Sequence, residues 1–136
     1  MTGFQHALRT PQNEEEWRAF HAIRRKVLFE NRGKIETYNE HHSDDSKPGN
    51  HPLVLVYRDD VIGVLRLDIV APIAWLRRVA IREDVQQQGH GRILLRLVEA
   101  FAKDHGCDEI RSNAAVEAFG FYERCGYARD LSRPGP

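Results

Sequence analysis

A chain of 136 residues, 41% apolar and 29% charged, has the length and balance of one globular domain, able to bury a core without a disulfide or metal. Twenty Lys and Arg against twenty Asp and Glu leave no net field to draw it onto nucleic acid or an anionic membrane. No apolar run approaches the ~20 residues of a membrane span, and Met1–Thr10 lacks a signal-peptide core, so a cytoplasmic protein is expected.

Phe4–Arg9 reads as a short edge strand, ended by Thr10-Pro11. Asn13 and Glu16 form a capping-box pattern, and Glu14, Glu15 and Glu16 suit the positive end of a helix dipole. Trp17, Phe20, Ile23, Val27 and Leu28 recur at helical spacing, which predicts a helix from about Glu14 to Phe29. Residues 31–52 show no clean period and read as a long loop of the kind that is functional or hides a short helix. Leu53–Tyr57 and Val61–Val70 form a hairpin about Asp59-Asp60, and Ile73–Ile81 is a third strand after Pro72. Gly89–Lys103 is a helix with Ile93, Leu94, Leu97, Val98, Phe101 and Ala102 on one stripe, supported by a Glu99–Lys103 pair and stopped by Gly106. Asp108–Asn113 is a strand, and Val116–Arg124 a helix ended by Gly126. Cys107 and Cys125 lack a zinc spacing and read as free thiols. The order predicts a mixed α/β domain: a central sheet with a β-hairpin, a parallel β–α–β unit over residues 73–110, and helices on both faces.

Two stretches carry the chemistry. In Val79-Ala80-Ile81 through Gln86-Gln87-Gln88-Gly89-His90-Gly91-Arg92, a strand runs into a polar loop and two glycines open a helix. Glycine permits unusual φ and close approach, and the first N–H groups of a helix bind anions. The other reading of this stretch is a tight strand-to-helix turn. It is neither a dinucleotide fingerprint nor a Walker loop, since the third glycine and a Gly-Lys-Ser/Thr are missing. In Asn113 through Tyr127, a strand end precedes a short helix bearing Phe121-Tyr122. Tyr122 is open to two readings, a buried core aromatic or a general acid.

Together the stretches resemble the GNAT superfamily of N-acetyltransferases. The first matches its Arg/Gln-x-x-Gly-x-Gly/Ala signature as Gln86-x-x-Gly89-x-Gly91. The second matches its C-terminal signature through Ala118, Phe121-Tyr122-Glu123-Arg124 and Gly126-Tyr127. The resemblance covers at least Leu53–Tyr127. It implies that acetyl-CoA is the cosubstrate, with backbone N–H groups of Gln86–Gly91 around its pyrophosphate and Arg92 adding charge. It implies that Val79, Ala80 and Ile81 pair with the pantetheine arm, that Asn113 and Phe121 lie at the coenzyme, and that the two strands splay around the thioester. An N–H of Ala80 or Ile81 then stabilises the oxyanion, a role worth roughly 3 kcal/mol in other enzymes. Tyr122 protonates the departing thiolate while a primary amine attacks directly in a ternary complex. Ala115 departs from the polar residue that relatives place seven positions before the tyrosine, and about ten residues follow Gly126 where relatives have another strand. A short sheet or a homodimer that completes it is the expectation.

The acceptor and the base are less visible. Glu36, Glu40, Asp44 and Asp45 suit a cationic acceptor such as a polyamine, an aminoglycoside or a lysine. Asp68, Glu36, Glu40, the loop histidines or a water chain are the candidates for base. His41, His42, Asp44, Asp45 and His51 fit no standard metal spacing and read as a solvated loop, so no metal is expected. Arg24-Arg25-Lys26 and Arg77-Arg78 read as solvated faces or sheet flanks, with the coenzyme 3′-phosphate as the alternative partner. The rival to an enzyme is a non-catalytic acyl-CoA sensor or interaction module.

Overall fold

The computed structural model describes residues 5–39, 43–114 and 118–128. Its strands are β1 (His6–Arg9), β2 (Asn50–Tyr57), β3 (Asp60–Val70), β4 (Ile73–Ile81) and β5 (Glu109–Ser112), and its helices α1 (Glu14–Arg24), α2 (His90–Asp104) and α3 (Phe119–Arg124). The strands form one sheet in the order β1-β2-β3-β4-β5. Neighbours are antiparallel except β4 and β5, which run parallel across the α2 crossover. The mixed sheet, the hairpin and the β–α–β unit are those that the sequence predicts.

Side-chain alternation builds two cores. Leu53, Leu55, Leu65 and Leu67 point to one face and pack with Leu94, Leu95 and Val98 of α2. Val54, Val56 and Val64, offset by one residue, point to the other face and pack with Phe20 and Ile23 of α1. The amphipathic helices therefore sandwich the sheet, each burying its apolar stripe.

Several boundaries differ from expectation. The first hairpin turns at Arg58-Asp59, both with positive φ (49° and 66°), and Asp60 already belongs to β3. β2 starts at Asn50 and so includes Pro52. β1 pairs with β2 only from Val54 onward, so the side of Pro52 away from β3 needs no N–H. The first helix is α-helical only to Arg24, and residues 25–30 continue as a π-helix. The Asn13 cap forms as expected, its side chain accepting from the Glu16 N–H at 2.8 Å. Phe4, the helix start at Val116 and the C-terminal tail lie outside the described residues.

Candidate functional site

The sheet is irregular in one place that matters. On β3, Val64 pairs with Ala80 and Arg66 with Arg77, so Leu65 alone faces both Arg78 and Val79. This is a β-bulge on β4, and Arg78 adopts φ 52° within it. The extra residue reverses the alternation. Ala74 and Leu76 pack on the α2 side before the bulge, whereas Val79 and Ile81 do so after it and Ala80 turns to α1. Arg77 and Arg78 consequently lean to the same, α1, side. Pairing between β4 and β5 stops at Leu76–Ser112, short of the bulge. Backbone groups of residues 77–81 that point away from β3 thus face a split in the sheet. A cavity of about 370 Å³ opens there, lined by Leu76–Val79, Ser112–Ala114, Ala118 and Tyr122, with Leu28, Phe29, Arg32, Lys34 and Arg66 from the α1 side.

At the end of β4, the polar loop leads into α2. Gly89 caps the helix in the left-handed region (φ 90°), no side chain caps it, and Gln87 is also left-handed (φ 64°). The N–H groups of His90, Gly91 and Arg92 have no preceding turn to bond, and no side chain caps them among the described residues, the kind of helix end that suits an anion. Gln86 folds back and donates from its side-chain amide to the Ile81 carbonyl at 2.8 Å, stapling the loop to β4. Gln86, Gln87, Gln88 and Gly89 are exposed. The His90 side chain is buried against His6, at 3.0 Å between ring nitrogens, and against Tyr57, so only its backbone can serve a ligand at the loop. The Arg92 side chain donates to the Arg124 carbonyl at 3.3 Å, closing the C-terminus of α3. A Cβ on Gly91 would lie 3.0 Å from Cζ of Phe121, so the second glycine makes room for that ring.

That packing sets Tyr122. Phe121 seats α3 on the first turn of α2, and Tyr122 beside it lines the cavity next to Ser112. Burial pushes the Tyr122 phenol above its ordinary range, while a hydrogen bond with Ser112 opposes the shift. The phenol therefore holds its proton at neutral pH, as a donor must. Asn113 is exposed at the cavity rim. Val79, Tyr122 and Asn113 thus converge on the split, whereas Gln86 to Arg92 form a second locus beyond the end of β4.

The charges are arranged otherwise than the sequence suggests. Arg24 is not a solvated residue but is buried, 1% exposed, with Nη1 and Nη2 2.8 and 3.1 Å from the Asp45 carboxylate. Asp44 pairs with Lys47 at 2.7 Å. Asp68 accepts from Arg66 at 2.7 and 2.9 Å and lies 3.5 Å from Arg77, so it is engaged in ion pairs rather than waiting as a base. His51 meets the rings of Phe101 and His105 edge to face, at the C-terminal end of α2. Glu36 is exposed in a short 3₁₀ turn, and Glu40, His41 and His42 lie outside the described residues. Among the described residues that line the cavity there is no carboxylate and no histidine, but there are five cations: Arg32, Lys34, Arg66, Arg77 and Arg78. No three His, Cys, Asp or Glu side chains among the described residues are grouped to hold a metal. Likewise no described helix is long and apolar enough to cross a membrane. Arg78, read from the sequence as a solvated face or sheet flank, instead lines the cavity over Phe29; the apolar pattern of β4 slips phase at Arg77-Arg78, which is the signature of a bulge.

Comparison with known proteins agrees with this architecture. The model of the acetyltransferase (GNAT) family matches residues 13–127. A Bacillus subtilis (strain 168) protein named "Putative acetyltransferase" is 27% identical over 116 residues, covering 85% of this chain and 78% of that protein. Glucosamine-6-phosphate N-acetyltransferase from Arabidopsis thaliana superposes with TM-score 0.69 at 11% identity, over 96% of this chain and 97% of that one. An aminoglycoside N-acetyltransferase solved in complex with CoA gives 0.70 at 12% identity, over 96% and 93%. At such identities the two structures speak for the fold.

Proposed function

The chain belongs to the acetyltransferase (GNAT) family and is an acyltransferase, and on that premise we propose that it moves the acetyl group of acetyl-CoA to a primary amine by direct attack in a ternary complex. The observation that carries this reading is the pairing of an uncapped α2 N-terminus with a split sheet that holds a protonated tyrosine. The fit to the cosubstrate is chemical. The open N–H groups at His90–Arg92, with the helix dipole, suit a pyrophosphate, and the β4 backbone beyond Leu76 can take an amide-bearing arm as an added strand.

Acetyl-CoA supplies an acetyl thioester. As the amine nitrogen bonds to the carbonyl carbon and the C–S bond breaks, the Tyr122 hydroxyl gives its proton to the departing sulfur. The amine proton leaves to water, and water restores the tyrosine. The backbone N–H groups of residues 77–81 that point into the split are donors for the developing oxyanion, preorganised by the bulge. Acetyl-CoA at about 100 times its Kd is expected to raise Tm by several degrees, and ATP is not. Tyr122→Phe is expected to lower kcat at least tenfold with acetyl-CoA affinity within about twofold of wild type. An unchanged kcat removes Tyr122 from the mechanism. Absence of any acetyl-CoA shift in the wild type removes the coenzyme assignment.

A further inference from the structure

The polar lining of the cavity is one-sided. Arg66 and Arg77 share Asp68, but Arg78, Arg32 and Lys34 form no salt bridge among the described residues. Arg78 is held rather than free to swing. It sits on the bulge at φ 52°, half-buried, with its guanidinium 5.3 Å from the Phe29 ring centroid. Keeping a charge there is costly: burial and the charges of Arg24 and Arg66 all oppose it, with only partial relief from Asp45. Of the described acidic residues of the 31–52 loop, Asp45 and Asp44 are paired directly with Arg24 and Lys47 rather than with Arg78. These cations also stand apart from the coenzyme loop. Arg78 is three residues, about 10 Å of strand, from the end of β4, and none of residues 86–92 lines the cavity.

We propose that the acceptor carries an oxyanion, a carboxylate or a phosphate, beside its amine, and that Arg78, assisted by Arg32 and Lys34, holds that group. This rests on the acetyl-transfer reading and replaces the cationic acceptor suggested by the loop composition. A guanidinium with no carboxylate paired to it among the described residues, pinned at the wall of a cavity, is a ready partner for such a group. The same positive field disfavours the ammonium form of the acceptor, so the amine can lose its proton to water without a protein base. It also repels polyamines.

The test compares pairs of amines that differ in the oxyanion: alanine with alaninamide, and phosphoethanolamine with ethanolamine, with spermidine as the polycation. Binding is read by calorimetry on the protein, both free and saturated with CoA, and turnover by release of CoA. At least one oxyanion member is expected to bind ten times tighter than its partner, and the pair that responds tells carboxylate from phosphate. Arg78→Gln is expected to erase that preference and Arg78→Lys to restore part of it, each changing the oxyanion preference more than acetyl-CoA affinity. The surface double variant Arg32→Gln, Lys34→Gln, which touches no core, should weaken it. Equal or tighter binding of the uncharged members or spermidine, or no binding of either oxyanion member, overturns the proposal. So does an Arg78→Gln protein that loses acetyl-CoA instead, since the cations then serve the coenzyme. Failure of the wild type to bind acetyl-CoA is a separate result, against the transfer reading, and the binding preference can still be read on the free protein.

Discussion

Asp45 shows how much one side chain can organise. Its carboxylate takes both terminal nitrogens of the buried Arg24 and lies 3.8 Å from Arg66, fastening the segment before β2 to α1 and β3. Arg24 also rests on the Phe20 ring, 4.4 Å away, and its Nε has no hydrogen-bond partner among the described residues. Removing the acid leaves a buried guanidinium with the neutral Tyr38 hydroxyl but no carboxylate paired to it, which typically costs about 3–5 kcal/mol. Asp45→Ala is therefore expected to lower the urea midpoint sharply. Arg24→Met, which leaves a flexible apolar chain and an Asp45 still near Arg66, should cost less. Equal, small effects would mean that water replaces the pair. None of this was legible in the sequence, where Arg24-Arg25-Lys26 looks like a charged face. Only the helical period places Arg24 next to Phe20 and Ile23 on the buried side, and only the fold brings Asp45 to it.

Among elements, α2 and α3 depend on each other through one missing methyl group. Gly89 is needed for its backbone, since space around it is open and its φ is positive, whereas Gly91 is needed for Phe121. Gly91→Ala introduces contacts of 3.0 and 3.2 Å with that ring, and the ring must move or carry α3 with it. Overpacking of this kind costs about 1–3 kcal/mol. Because Tyr122 follows Phe121, Gly91→Ala is expected to lower kcat more than acetyl-CoA affinity, and the second change Phe121→Leu should return stability. If Phe121→Leu gives no recovery, the defect lies at the helix N-terminus itself. The Gly-x-Gly spacing was plain in the sequence, but the distinct duties of its glycines were not, since the second depends on a contact thirty positions away. The bulge on β4 is a related case. The strand was read correctly, yet its phase slip at Arg77-Arg78 was not, and that slip decides which side chains reach the cavity.

For the molecule as a whole, α2 is fastened to the sheet by imidazoles at both ends. At its start, His90 meets His6 and Tyr57 of β1 and β2; at its end, Phe101 and His105 meet His51 at the start of β2. Burial, and then the charge of His6, hold His90 below its ordinary value of 6.5. Burial and the charge of His105 do the same to His51, against a smaller pull from Asp68. The unfolded chain therefore takes up these protons first as the pH falls. Their contribution to stability is complete above about 6.5 and declines as pH drops from there toward the folded values. The lowered carboxylates Glu16 and Asp84 act in a different window, since their contributions are lost only when the pH falls below their ordinary 4.5 and 3.8. Tm should accordingly be near its plateau at about pH 7.5 and fall as the pH drops below about 6.5. His90→Gln and His51→Gln should each flatten that fall while lowering the plateau. A Tm that holds or rises on acidification would place the neutral imidazoles outside the forces that dock α2.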